Sequence, residues 1–282
     1  MNKYRTKKNI KKLLFVLLVL LIIVVLMFPV AAMISVSLKK ANDVFTMPVT
    51  WIPKTFAFEN YVQVFEKMHI LNGSKASLII TGLTISLIMV IAIPASYAFS
   101  CLDFYFKKQI YYLVLVSQMF APVIVIIPLY TMMNRLGLID SWFSLVLMNT
   151  TFNLAFIVLM LKATFDGVPK EVVEAAKIDG CSPFMVMTRI FLPVSSTGIA
   201  VAVIFAFTRT WNEFLFAFTF ISTTEKKPII VSLYEILKNN PAVGIPWHYV
   251  MAGAMYTTVP LVILFICIRN YITGDHTAGA IK

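Results

Sequence analysis

Arg209 and Glu213 are the residues of this chain best placed to do chemistry. They lie four apart in an apolar run, so on a continuous helix they would share one face and could neutralise each other. Ionisable groups in such a run are costly in lipid and usually face a bundle interior or a watery cavity. Asn212 adds an amide beside them, and Trp211 and Phe214 add apolar rings. One use is a solute pathway. The other is packing: a buried pair that fixes a helix, or a site at the external interface where one of the two reaches water.

Other devices for chemistry are missing from the sequence. A phosphate-cradling loop needs glycine followed by lysine and a hydroxyl residue, and none of the ten glycines precedes a lysine. Neither Gly-x-Ser-x-Gly nor His-Glu-x-x-His occurs. His69, His248 and His276 are scattered, and Cys101, Cys181 and Cys267 have no zinc spacing. No metal site, no catalytic residue and no resident cofactor is expected on this chain.

Whatever Arg209 and Glu213 do must be positioned by membrane helices. The composition is 60% hydrophobic and only 13% charged, which excludes an ordinary soluble domain. Six runs approach or exceed the roughly 20 residues needed to cross a bilayer: about 13–36, 76–98, 110–132, 142–163, 194–221 and 248–271. Only helices satisfy their own backbone in lipid without the alternating pattern of a barrel, which is absent. The expectation is an all-α polytopic membrane helix bundle of six transmembrane helices, forming one domain over 1–282. Prolines 94, 122, 128 and 260 fall inside these runs and predict kinks.

The first run follows Lys3, Arg5, Lys7, Lys8, Lys11 and Lys12, and Val30-Ala31-Ala32 offers a weak signal-peptide cleavage site. Leu13 to Ile34 contains no polar side chain, longer than a usual signal core, so it reads as a retained anchor. Placing those cations inside puts both termini, the 99–109 loop and the 162–193 loop in the cytoplasm. The net charge of +11 therefore speaks of topology; no basic face with stacking aromatics suggests nucleic acid.

The 162–193 loop contains a polar stretch unlike the rest, Glu174-Ala-Ala-Lys-Ile-Asp-Gly-Cys-Ser-Pro-Phe-Met-Val-Met-Thr-Arg-Ile-Phe-Leu-Pro193. It reads as helix, tight turn, helix. Pro169 suits a first turn, Gly180 a left-handed helix end, Ser182-Pro183 a cap and restart, and Pro193 a stop. Ala175, Ala176 and Gly180 leave room for a close approach, with Glu174 and Asp179 as fixed charges. It has the form of a docking element.

The order Glu-Ala-Ala at 174–176, Asp-Gly at 179–180 and Arg-Ile-x-Leu-Pro at 189–193 resembles the EAA loop of membrane subunits of binding-protein-dependent ABC importers. The likeness is to the carbohydrate branch, in particular the second permease of maltose-type systems. It extends through Glu59-Asn60-Tyr61-Val62, Ile127-Pro128-Leu129-Tyr130, Leu136-Gly137-Leu138, Trp211-Asn212-Glu213-Phe214-Leu215 and the tail Thr277–Lys282. Cys181 departs from the family's usual alanine, and Pro183 tightens the second helix start.

The resemblance implies a type I importer permease fold with a cytoplasmic coupling loop at about 164–193. It implies a sugar or oligosaccharide as cargo; Arg209, Trp211, Asn212 and Glu213, by their own character within a span, are the candidates for the substrate pathway, although in maltose-type systems the companion permease often holds most of the substrate. Glu174, Ala175, Ala176, Asp179 and Gly180 would meet an ATPase, and Leu192 and Pro193 would join the loop to the fifth span. The implied partners are a companion permease, two cytoplasmic ATPase subunits carrying ATP and magnesium, and an extracellular solute-binding protein. The implied location is the bacterial plasma membrane. A glycerol-phosphate-like solute is the alternative cargo. An autonomous channel or ion-coupled carrier would use Arg209 and Glu213 but gives the docking loop no task.

Overall fold

The computed structural model describes residues 2–67, 70–238 and 245–272, all of their regular structure helical. The expected tail at 277–282, with His69 and His276, lies outside them. Helices are named in chain order: α1 Asn2–Ser37, α2 Glu59–Lys67, α3 Ile70–Cys101, α4 Lys107–Ser117, α5 Ile126–Arg135 and α6 Trp142–Phe165. They continue as α7 Lys170–Ile178, α8 Pro183–Val194, α9 Ser196–Trp211, α10 Leu215–Phe220, α11 Ile229–Lys238 and α12 Trp247–Ile272.

Among the described residues five segments are long and apolar enough to cross a membrane: Lys11–Ser37, Ile70–Cys101, Trp142–Phe165, Ser196–Phe220 and Trp247–Arg269. The expected span at 110–132 is not one helix. α4 and α5, of 11 and 10 residues, share it across a turn. Pro122 is the physical reason: it has no N–H and pushes Ala121 away from helical backbone. The chain turns there instead, with Ile124 N–H on the Ala121 carbonyl (3.1 Å) and Val125 N–H on the Pro122 carbonyl (3.2 Å). Pro128 falls in the first turn of α5, where a missing donor costs little. Pro94 and Pro260 lie within continuous α3 and α12.

The residues divide into two compact units. One comprises 1–68 and 233–258. Within it α1 is bare, its apolar side chains from Leu13 to Phe28 all exposed, as a lipid-facing helix should be. Its end is tied down by the Glu59–Val62 segment. Asn60 Nδ2 donates to the Ser37 and Lys39 carbonyls (2.7 and 2.8 Å), and the Tyr61 and Ser37 hydroxyls share a 2.8 Å hydrogen bond. Asn60 therefore satisfies carbonyls that a helix C-terminus leaves open. Phe28 meets Trp51 at 5.3 Å between ring centroids.

The other unit comprises 69–232 and 259–282. Here α3, α6 and α9 pack together. Ile88 and Ala92 of α3, Ile157 and Leu161 of α6, and Ala202 and Ala206 of α9 are fully enclosed. Small residues let these helices approach closely, as membrane helices do in the absence of a hydrophobic drive between them. At Gly198 the approach is tightest: a Cβ there would collide with the Thr164 side chain of α6. Ser96 Oγ adds a polar tie, donating to the Val158 carbonyl at 2.9 Å.

Candidate functional site

The 169–193 stretch forms the expected hairpin. α7 ends at the Gly180 turn, where φ is +79° and the Cys181 N–H reaches back to the Ala176 carbonyl at 3.0 Å. That bond is the six-residue closure of a left-handed helix end. Ser182 then caps α8, its Oγ accepting from Met185 N–H at 3.3 Å, with Pro183 in the first position. Pro193 does not stop α8 as expected; the helix passes through it to Val194. Residues Met187–Phe191 widen into a π turn, and the Leu192 N–H bonds the Met187 carbonyl five residues back. A wider turn relieves the clash of a proline ring with the carbonyl four residues earlier.

The hairpin is anchored from inside. Val173 and Ala176 of α7 and Val186, Met187 and Phe191 of α8 pack with Tyr97 of α3 and Phe165 of α6. Phe191 stands edge-on to both rings, at 5.1 Å from Tyr97 and 5.4 Å from Phe165. Ala176, expected to admit a partner's backbone, is instead 7% exposed within this cluster. Glu174, Ala175, Asp179, Gly180 and Pro193 are exposed, and Leu192 is half-buried. Sequence reasoning missed the tip itself: Ile178 is 86% and Phe184 71% exposed on either side of the turn. Their apolar character between Glu174 and Arg189 was the available signal.

The Arg209–Glu213 pair is corrected by the structure. α9 ends at Trp211, Asn212 turns the chain, and Glu213 stands two residues before α10. Glu213 caps that short helix, its two carboxylate oxygens accepting from Phe216 N–H (2.7 Å) and Ala217 N–H (3.1 Å). Among the described residues Arg209 and Glu213 form no ion pair. Arg209 lies over the Phe156 ring instead, 4.4 Å from its centroid. The helix break removes the shared face that a spacing of four assumed.

Both residues nevertheless line one cavity of about 420 Å³, between α4, the Pro122 turn, α6, α9 and α10. Gln118, Asn149 and Asn153 supply amides to its wall, and Phe120, Phe152 and Phe216 supply rings. Trp211 is not in it: its side chain is 2% exposed and stacks on Phe207 at 5.4 Å. Asn212 bonds its own helix at the Thr208 carbonyl (2.9 Å). Asn149 and Asn153, four apart inside a span, were a legible sign of a polar face that sequence reasoning passed over.

At the start of α6, far from the hairpin, Asp140 holds a φ of +59° and organises a latch. Its carboxylate accepts from Thr223 Oγ1 (2.6 Å), Thr223 N–H (2.9 Å), Ser222 N–H (3.0 Å) and Lys226 Nζ (2.9 Å). The Thr223 bonds chiefly, with those from Lys226 and Ser222, hold this carboxyl well below the usual carboxylate range. Lys226 also donates to the Asp140 carbonyl (2.8 Å), and Trp142 Nε1 to the Lys226 carbonyl (2.8 Å).

A bundle of apolar helices with a break beside a polar cavity and a hairpin standing out at one end is the anatomy of a multi-span membrane transport subunit. The chain belongs to the family described as binding-protein-dependent transport system inner membrane component, which it matches over residues 88–273. It is 30% identical over 262 residues to the sulfoquinovosyl glycerol transport system permease protein SmoH of Agrobacterium fabrum, covering 91% of this chain and 89% of that one. It is 29% identical over 277 residues to the trehalose/maltose transport system permease protein MalG of Thermococcus litoralis, covering 97% and 98%. Its fold is that of a chain in the crystal structure of a bacterial ABC transporter that imports the acidic polysaccharide alginate. The TM-score is 0.79 at 19% identity, over 93% of this chain and 96% of that chain. The chain is therefore a multi-pass membrane protein of binding-protein-dependent transport.

Proposed function

We propose that this chain is one permease of an ATP-driven importer and carries a sugar or oligosaccharide delivered by an extracellular solute-binding protein. Family membership and the sugar-related names of its relatives support the cargo class. The observation that carries the mechanism is the hairpin, apolar and uncovered at its tip, yet locked at its base to α3 and α6.

In this reading the hairpin faces the cytoplasm, where both termini also lie. Ile178 and Phe184 seat in a cleft of an ATPase subunit, with Glu174 and Asp179 as polar contacts around them. The chain itself is not an enzyme: ATP and magnesium belong to two ATPase partners, and a companion permease completes the membrane part. Closure of the ATPase dimer moves α7 and α8. Because Phe191 is packed against Tyr97 and Phe165, the displacement passes into α3 and α6 rather than dissipating in a loose loop. ATP shifts the spans only insofar as it binds one arrangement more tightly than the other.

The test is purification of this chain from mild detergent with identification of its companions, in parallel with Glu174→Lys and Gly180→Leu. A companion permease and an ATPase are expected with the native chain. The variants should stay in the membrane but uncouple uptake from ATP hydrolysis. Recovery as a lone homo-oligomer, or normal transport by both variants, would remove the assignment.

A further inference from the structure

The cavity beside Arg209 holds a charge that the chain leaves unanswered. Among the described residues the Arg209 guanidinium makes neither an ion pair nor a hydrogen bond, only its contact with Phe156. The one other charged residue in the wall is Glu213, and both its oxygens are engaged by the backbone of α10. A cation within a membrane-crossing segment faces water or an anion, because lipid offers it nothing. A guanidinium is also the side chain that grips carboxylate-like oxygens in pairs.

The remainder of the wall suits a saccharide. Asn149 and Asn153 spend their amide N–H groups on the Leu145 and Asn149 carbonyls (2.9 and 2.8 Å). Their Oδ1 atoms receive no donor among the described residues, so each can accept a sugar hydroxyl. Phe152, half-buried, and Phe120, exposed, offer apolar ring surface in the wall of the kind a pyranose ring covers. At about 420 Å³ the space is within the range of small-molecule sites.

We propose that this cavity is a transport subsite for an acidic sugar, whose carboxylate or sulfonate pairs with Arg209 while its ring lies against Phe152 and Phe120. The proposal rests on the carbohydrate-importer reading above and narrows it to anionic saccharides contacted by this subunit itself. Neutral sugars satisfy the amides but leave Arg209 without a counter-charge, so they are carried less well.

The experiment is ATP-dependent uptake by the complete transporter, with its binding protein, in proteoliposomes. The probes are a glucuronate-bearing disaccharide and its neutral glucose counterpart, each supplied to the native complex, Arg209→Gln and Arg209→Lys. The native complex should carry the acidic probe at least tenfold better. Arg209→Gln should lose that preference, and Arg209→Lys should keep part of it. The native comparison stands even where a variant assembles poorly. A native complex that prefers the neutral sugar, or an Arg209→Gln complex that carries the acidic probe unchanged, overturns the acidic-sugar assignment alone. Failure of an assembled, ATP-hydrolysing complex to carry either sugar overturns the carbohydrate reading instead.

Discussion

The two ends of α6 are finished in opposite ways. At its start Asp140 draws four donors onto one carboxylate, and Lys226 and Trp142 close the remaining polar groups of the latch. At its other end, about 36 Å away for 24 residues of helix, Phe165 anchors a hairpin whose tip leaves Ile178 and Phe184 bare. The latch satisfies itself within the chain, whereas the hairpin has its base satisfied and its tip open. An end complete in itself contributes stability; an end left open asks for a partner.

The largest effect should come from breaking the seam that both ends share. Gly198→Leu forces a side chain into Thr164, and overpacking of this kind costs about 1–3 kcal/mol or more. Loss of folded protein in fluorescence-detected size exclusion is expected, with partial recovery in the Gly198→Ala, Thr164→Ala pair. Unchanged elution would show that α6 and α9 separate easily and that the ends do not communicate through them.

Next come changes specific to one end. Replacing Ile178 and Phe184 by Asp should lower ATPase co-purification at least tenfold, about 1.4 kcal/mol, while the midpoint of thermal unfolding stays within a degree or two. A fall in the midpoint without loss of the partner would make the tip a stabilising element rather than a docking one. Asp140→Asn should do the opposite, costing about 1–2 kcal/mol of stability through weakened charge-assisted bonds, with the ATPase retained. The latch also has a pH signature. A carboxyl held below its ordinary value of 3.8 contributes stability that is fully present above that value and lost as pH falls beneath it. A thermal-unfolding series from pH 6 to pH 3 should show the native chain beginning to lose this increment at its acid end, the remainder going only at lower pH, and Asp140→Asn showing no such loss.

The smallest expected effect concerns Arg209 and Glu213. Since they line one cavity without pairing, Arg209→Gln and Glu213→Gln should couple only weakly in stability, at the low end of the about 0.5–3 kcal/mol typical of residues that share a cavity. A larger coupling in a double-mutant cycle would restore the ion pair that their spacing suggested.

The latch and the hairpin also differ in how legible they were. The hairpin was readable because its determinants are local: Gly180 for the turn, Ser182 and Pro183 for the cap, all within one stretch. Even so, the reading erred at Pro193, since a π turn is an adjustment of backbone hydrogen bonds that no single residue type announces. It erred also at Ala176, whose burial depends on Tyr97 and Phe165, distant in sequence. The latch was not legible at all. Asp140 and Thr223 are 83 positions apart, and nothing in either neighbourhood names the other.

The cavity falls between these cases. Arg209 and Glu213 were found as charges in a span, but the helix break after Trp211 changed their relation and brought Phe216 and Ala217 to Glu213. Pro122 was visible in the sequence as a candidate for a kink; that the span opens into two short helices beside the cavity was not.

By itself the sequence determined that this is a helical membrane protein with a polar hairpin, because hydrophobic run length, charge bias and turn chemistry act over a few to some twenty neighbouring residues. Only the tertiary structure decided which polar groups meet: that Asp140 finds Thr223 and Lys226, that Glu213 spends its charge on α10, and that Arg209 is left facing a cavity. Those outcomes depend on how helices far apart in the chain pack, and packing is where residues without local signals acquire their partners.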